Sequence, residues 1–139
     1  MDLIDEIVLP KNWQELVLLK DIIPFCTNKV TRFPQDNQNY DEYRQDFSHQ
    51  EHIQHILKTI GHQKQKITPN KFPYLRLIQH ISQVKHYCLW SKTGPLTPAA
   101  IESEINHQFP NLDHFWFVNA SNNKSIPEIW HCQIFIKEK

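Results

Sequence analysis

Two short stretches carry the residues best suited to chemistry. Lys85-His-Tyr-Cys-Leu-Trp-Ser91 alternates as a strand does, which places His86, Cys88 and Trp90 on one face and Tyr87 and Leu89 on the other. Ile129-Trp-His-Cys-Gln-Ile-Phe-Ile136 sorts His131, Gln133 and Phe135 against Trp130, Cys132, Ile134 and Ile136. If the two strands lie side by side in matching register, His86, Trp90, His131 and Gln133 line one pocket. An imidazole there can serve as acid, base or ligand near neutral pH. Tryptophan offers a flat face to a base or a sugar. Asn119, at the end of a third β-rich run (residues 114–119), is placed to orient a hydroxyl or carbonyl, and Lys124 and Ser125 in the loop after it can donate to an anion. His86 and His131 are therefore the candidate catalytic pair. Trp90, Asn119, Lys124, Ser125 and Gln133 are the candidate ligand-binding residues. Each has a plainer reading beside this one: histidines hydrogen-bonded within the framework, tryptophans in the core, and turn chemistry at 124–125.

A second histidine cluster, His49, His52 and His55 with His62 beyond, runs at i, i+3, i+6. The third member swings around the helix and no cysteine or carboxylate completes a zinc pattern, so a solvated face is expected and no metal site. Cys26, Cys88 and Cys132 form no CxxC and are odd in number, which argues against a disulfide framework; Cys88 and Cys132 with a histidine would hold zinc only if their strands align, and no metal site is expected. Only two glycines occur, Gly61 and Gly94, and the phosphate-binding glycine loops of nucleotide enzymes are absent. No cofactor is expected.

The elements that must position these residues can be read from local signals. Asn12-Trp-Gln-Glu15 and Ser48-His-Gln-Glu51 have capping-box spacing, and Gly61 stands where a helix-terminating glycine belongs. The spacing predicts a helix from residue 12 towards Pro24, a loop over 27–39, a helix carrying Tyr40, Tyr43 and Phe47, and another over 49–60 burying Ile53, Ile56, Leu57 and Ile60. Residues 62–71 read as a solvated connection. Thr97-Pro98 opens a further helix with the stripe Ile101, Ile105, Phe109, closed by Pro110. Residues 114–119 and 129–136 are expected to form an antiparallel hairpin. The order helix, helix, strand, helix, strand, strand indicates an α+β fold: N-terminal helices on a small, mostly antiparallel sheet with one crossover helix. The 139 residues form a single domain, helical over about 1–61 and α+β over about 70–137.

Composition supports that class and narrows function. Hydrophobic residues make up 40% and charged residues 22%, a globular balance. Lys+Arg 15 equals Asp+Glu 15, which argues against a nucleic-acid binder held by bulk charge. The longest apolar runs fall well short of a membrane span. The acidic start Met1-Asp-Leu-Ile-Asp-Glu-Ile lacks a signal-peptide pattern, so a cytoplasmic location is expected.

Four motifs in order carry a resemblance: Asn70-Lys-Phe-Pro-Tyr74, His86-Tyr-Cys-Leu-Trp-Ser-Lys92, Trp116-Phe-Val-Asn119 and Lys124-Ser-Ile-Pro-Glu-Ile-Trp-His131. Together they resemble the uncharacterised domain family that includes the fungal N-acetylglucosamine-induced proteins, over about residues 70–137. Trp13, Arg32-Phe-Pro34 and Tyr43 look like that family's N-terminal helical part. Gln133 replaces a second strand histidine of the family pattern, and Leu75–Lys85 is longer than its usual link. The resemblance implies a fold and site positions more than a reaction. The expected function is binding of, or action on, a small polar ligand such as a sugar or phosphorylated metabolite in a His/Trp/Asn pocket. The alternatives are a non-catalytic RNA- or protein-interaction module and a structural component of a larger assembly, viral ones included.

Overall fold

In the computed structural model, which describes residues 3–120 and 126–139, short polar signals begin and end the helices. In α1 (Trp13–Leu18), Glu15 N donates to Asn12 Oδ1 at 2.9 Å. Helix α4 (His49–Ile60) opens on a complete capping box, Glu51 N to Ser48 Oγ at 3.2 Å and Ser48 N to Glu51 Oε1 at 3.0 Å, and it ends at Gly61 with φ of 66°. A side chain there would strain the left-handed backbone that turns the chain towards the sheet. Helix α5 (Pro98–Gln108) starts from Thr97, whose Oγ1 accepts from Ala100 N at 3.1 Å. Thr97→Ala is expected to lower stability by about 1 kcal/mol in urea titration, with Thr97→Ser near wild type.

Two expectations need correcting in the first half of the chain. The segment read as a loop over 27–39 is largely helical: α2 (Asn28–Thr31) is followed by α3 (Pro34–Asp46). Phe33 is extended and Pro34 occupies the first turn, where its missing N–H costs nothing. The polar run beyond it reads as loop because it buries nothing, yet Gln35–Asn39 and Gln38–Glu42 side-chain bonds at i, i+4 support it as an exposed helix (3.0 and 3.1 Å). The supposed connection over 62–71 contains strand β1 (Gln65–Pro69), whose single buried position is Ile67. An edge strand with one inward residue has almost no hydrophobic alternation to detect, and its partner strand supplies the order.

Strands β2 (Val84–Ser91), β3 (Asp113–Phe117) and β4 (Trp130–Lys137) complete a four-stranded sheet in the order β1-β2-β4-β3, antiparallel throughout. The β3–β4 hairpin pairs Asp113 with Lys137 through to Phe117 with Gln133. Helix α5 carries the chain from β2 across to β3, and β4 inserts between the two. The fold is thus α+β, with the N-terminal helices preceding and packing on the sheet.

Both sheet faces are buried. One face contributes Leu89, Cys132, Ile134 and Ile136 to a cluster with Ile101 and Ile105 of α5. The other presents Phe115, Phe117 and Phe135 to Leu16, Ile23 and Val30 of the N-terminal segment and to Tyr74 and Leu77. Further along that second face, Trp90 packs against Ile60, Ile126 and Ile129 together with Ile53, Ile56 and Leu57 of α4. Between those two packed regions the face carries polar side chains, and there a cavity remains. Among the described residues, no helix is long and apolar enough to cross a membrane.

Candidate functional site

A cavity of about 430 Å³ lies between the polar stretch of the sheet and helices α3 and α4. Helical spacing explains its helical wall: Tyr40, Tyr43 and Arg44 of α3 stand at i, i+3, i+4, and His52, His55 and Thr59 of α4 at i, i+3, i+7. Strand alternation supplies the opposite wall, with Cys88 and Trp90 from β2 beside Gln133 and His131 from β4. The register pairs Cys88 with Gln133 and Trp90 with His131, which is the matching register that a shared pocket requires.

The floor is a closed polar network. Asn70 Oδ1 accepts from Phe72 N at 2.8 Å, and its Nδ2 donates to Gln133 Oε1 at 3.2 Å. His86 Nδ1 accepts from Tyr74 N at 3.2 Å, so the ring proton sits on Nε2, which donates to Gln133 Oε1 at 2.6 Å. The thiol of Cys88 donates to the same oxygen at 3.4 Å. His86 also stacks on Phe135 with centroids 4.4 Å apart and planes 11° from parallel. Burial pushes its pKa down to about 3, and the Arg32 charge adds to that, against the hydrogen bond to Gln133.

His86 therefore does not reach the cavity wall, and both ring nitrogens are committed to structure. The expected pairing of His86 with His131 as acid and base gives way to a structural imidazole behind Gln133. Gln133 suits that place better than a histidine would, because one amide oxygen receives three donors. Cys88 is likewise held as a neutral thiol, its pKa raised to about 12 by burial.

The other sequence candidates divide as follows. His131 and Trp90 stack at 4.3 Å and 29° on the wall, and His131 Nδ1 donates to Ile129 O at 2.9 Å. That bond makes Nδ1 the protonated nitrogen of the neutral ring. Asn119 lines the cavity, is 7% exposed, and donates from Nδ2 to Tyr74 Oη at 3.2 Å. Its Oδ1 is buried without a partner among the described residues. Lys124 and Ser125 lie outside the described residues.

The solvated reading of the α4 histidines holds for His49, which is exposed and bonds Glu128 at 2.8 Å, and for exposed His55 at the cavity edge. It fails for His52, which is 7% exposed, lies edge-on to Tyr43 at 5.0 Å, and leaves Nε2 buried without a partner. Only the packing of α3 against α4 removes this imidazole from water.

The largest omission from the sequence reading is Arg32. Its Nε donates to Phe72 O at 2.8 Å and Nη1 to Asn28 Oδ1 at 3.1 Å. The guanidinium lies 5.0 Å from the Tyr40 ring centroid and 4.9 Å from that of Tyr74. Arg32 is 9% exposed, and among the described residues no carboxylate pairs with it. Arg44 and Lys71 also line the cavity, the latter with Nζ 3.9 Å from the Tyr43 centroid, whereas its described lining contains no Asp or Glu. A buried guanidinium without a counter-charge is costly, and the cavity beside it is electrostatically suited to an anion. Asn70 falls in one of the four motifs that carry the resemblance, and Arg32 and Tyr43 among the upstream residues that look like that family's N-terminal part. Among the described residues, no group of three or more His, Cys, Asp or Glu side chains is placed to hold a metal ion.

No family model matches the chain and no curated protein matches it. A solved structure, "Crystal Structure of HTC1", is similar at a TM-score of 0.65 and 17% identity, covering 94% of this chain and 86% of that one. At this identity the likeness concerns the fold alone.

Proposed function

We propose that the cavity binds a small anionic metabolite, with a phosphate group held at the Arg32 end. The observation that carries this reading is a buried guanidinium, without a described carboxylate partner, on a wall whose described residues include no acid. Charge-assisted hydrogen bonds to a phosphate would satisfy it, and Arg44 and Lys71 add attraction at the same cavity. In this reading His131 is the acid–base residue of any turnover, with Asn119 and Gln133 as orienting groups and His86 as scaffold. Three of the four motifs resembling the N-acetylglucosamine-induced family place residues around this cavity (Asn70, Trp90 and Asn119), and the fourth ends on His131, which supports membership as part of the same proposal. Buried cysteine thiols at 88 and 132 are in keeping with a cytoplasmic location.

The test is calorimetric titration of the full chain with glucose 6-phosphate and with glucose. Glucose 6-phosphate is expected to bind and glucose to bind at least tenfold more weakly. Arg32→Lys keeps the charge but loses the fork geometry, and should weaken glucose 6-phosphate about 10- to 100-fold. Exposed Lys71→Gln, which leaves the core untouched, should weaken it severalfold. Equal affinities for glucose and its phosphate, or no response to either substitution, would overturn the reading.

A further inference from the structure

Two polar atoms on this cavity have no use in the framework. Among the described residues, His52 Nε2 and Asn119 Oδ1 are each buried without a hydrogen-bond partner, on side chains 7% exposed, one on α4 and one just beyond β3. Framework polar atoms are mostly satisfied, as the Asn70–His86–Gln133 floor shows in the same cavity; Thr27 Oγ1 and Asn37 Oδ1, also buried without a described partner, do not line it. One hydrogen of Asn119 Nδ2 is already committed to Tyr74 Oη. Its Oδ1 can only accept, so a phosphate dianion, which can only accept as well, cannot satisfy it. A ligand ammonium could, but it would share the cavity with Arg32, Arg44 and Lys71. A hydroxyl donates to Oδ1 without adding charge, and it can donate to or accept from His52 Nε2 in either tautomer.

We propose that His52 Nε2 and Asn119 Oδ1 recognise hydroxyl groups of the ligand, so that the natural ligand is a hydroxylated phosphate ester, a sugar or polyol phosphate. This rests on the anion-binding reading above and adds the part of the ligand that is not phosphate. The cavity of about 430 Å³ has room for such a molecule. A site built to pair a hydroxyl discriminates strongly against an analogue that lacks it, because its own buried groups are then left unpaired.

The experiment titrates the full chain with glucose 6-phosphate, ribose 5-phosphate and glycerol 3-phosphate, against methyl phosphate and inorganic phosphate. The tightest of the first three is expected to bind about 10- to 100-fold better than methyl phosphate. His52→Phe and Asn119→Ala should each remove about tenfold or more of that advantage while leaving methyl phosphate affinity unchanged. His52→Phe should melt at or above the wild-type temperature, since an apolar ring replaces an unpaired buried nitrogen. Weaker sugar-phosphate binding in that variant is therefore not a folding defect. If methyl phosphate binds as well as every hydroxylated ester, or if both substitutions leave the ester affinities unchanged, the hydroxyl assignment is overturned and the anion reading stands. If none of the five compounds binds, both are overturned.

Discussion

The protein is expected to lose stability steeply on mild acidification, with His86 as the main cause. The folded state holds this ring neutral, with a pKa of about 3 set first by burial, whereas the unfolded chain titrates near the ordinary 6.5. Below about pH 6.5 the unfolded chain binds a proton that the folded chain refuses, so stability falls as pH falls. The contribution is fully present above that pH and is lost on the way down to the folded pKa. The slope approaches about 1.4 kcal/mol per pH unit, and the whole effect is on the order of 4 kcal/mol at pH 3. Against a usual total of roughly 5–15 kcal/mol, that is a large share. Urea titrations between pH 7.5 and 4.5 measure it. His86→Gln, which cannot titrate, should start less stable at neutral pH and show a profile flatter by about 1 kcal/mol per unit below pH 6. Parallel profiles for the two proteins would show that His86 is not the group refusing the proton.

Phe135→Ala is expected to cost about 3–5 kcal/mol, enough to leave a protein of ordinary stability marginal or unfolded. Phe135 is fully buried at the centre of the helix-covered sheet face. Its ring stacks on Phe115 at 5.1 Å and on His86 at 4.4 Å, and it lies 6.0 Å from Phe117 and 6.1 Å from Tyr74. Truncation removes the surface that fixes the His86 plane, so it loosens the polar floor along with the core. Phe135→Leu, which retains most of the volume, should cost clearly less. Urea midpoints together with near-ultraviolet dichroism distinguish the two variants. A loss below about 1 kcal/mol for Phe135→Ala would mean that the neighbouring rings collapse into the space.

These two residues show how the sequence and the packing share the specification. Alternation alone places His131, Gln133 and Phe135 on one face of the last strand, and the structure keeps them there. Alternation does not say that this face is buried as deeply as the apolar one. The neutral, structural character of His86 follows from Phe135 beneath it, Gln133 beside it and the Tyr74 backbone N–H above its Nδ1. Those partners lie 47 and 12 residues away for the two hydrogen bonds.

The same division runs through the helical half. The capping pairs at Asn12–Glu15 and Ser48–Glu51, the stop at Gly61 and the start at Thr97-Pro98 depend on groups within four residues of one another, so the sequence by itself determines them. Strand faces and the β3–β4 hairpin are legible for the same reason, since period and loop length are local properties. The polar helix α3 and the edge strand β1 are not, because neither buries enough of its own surface to leave a pattern. Nor are the roles of Arg32 and His52. A guanidinium and an imidazole in polar helical surroundings look solvated until α3, α4 and the sheet close around them. Only the tertiary structure decides that these groups are buried, and the proposed ligand site rests on that burial.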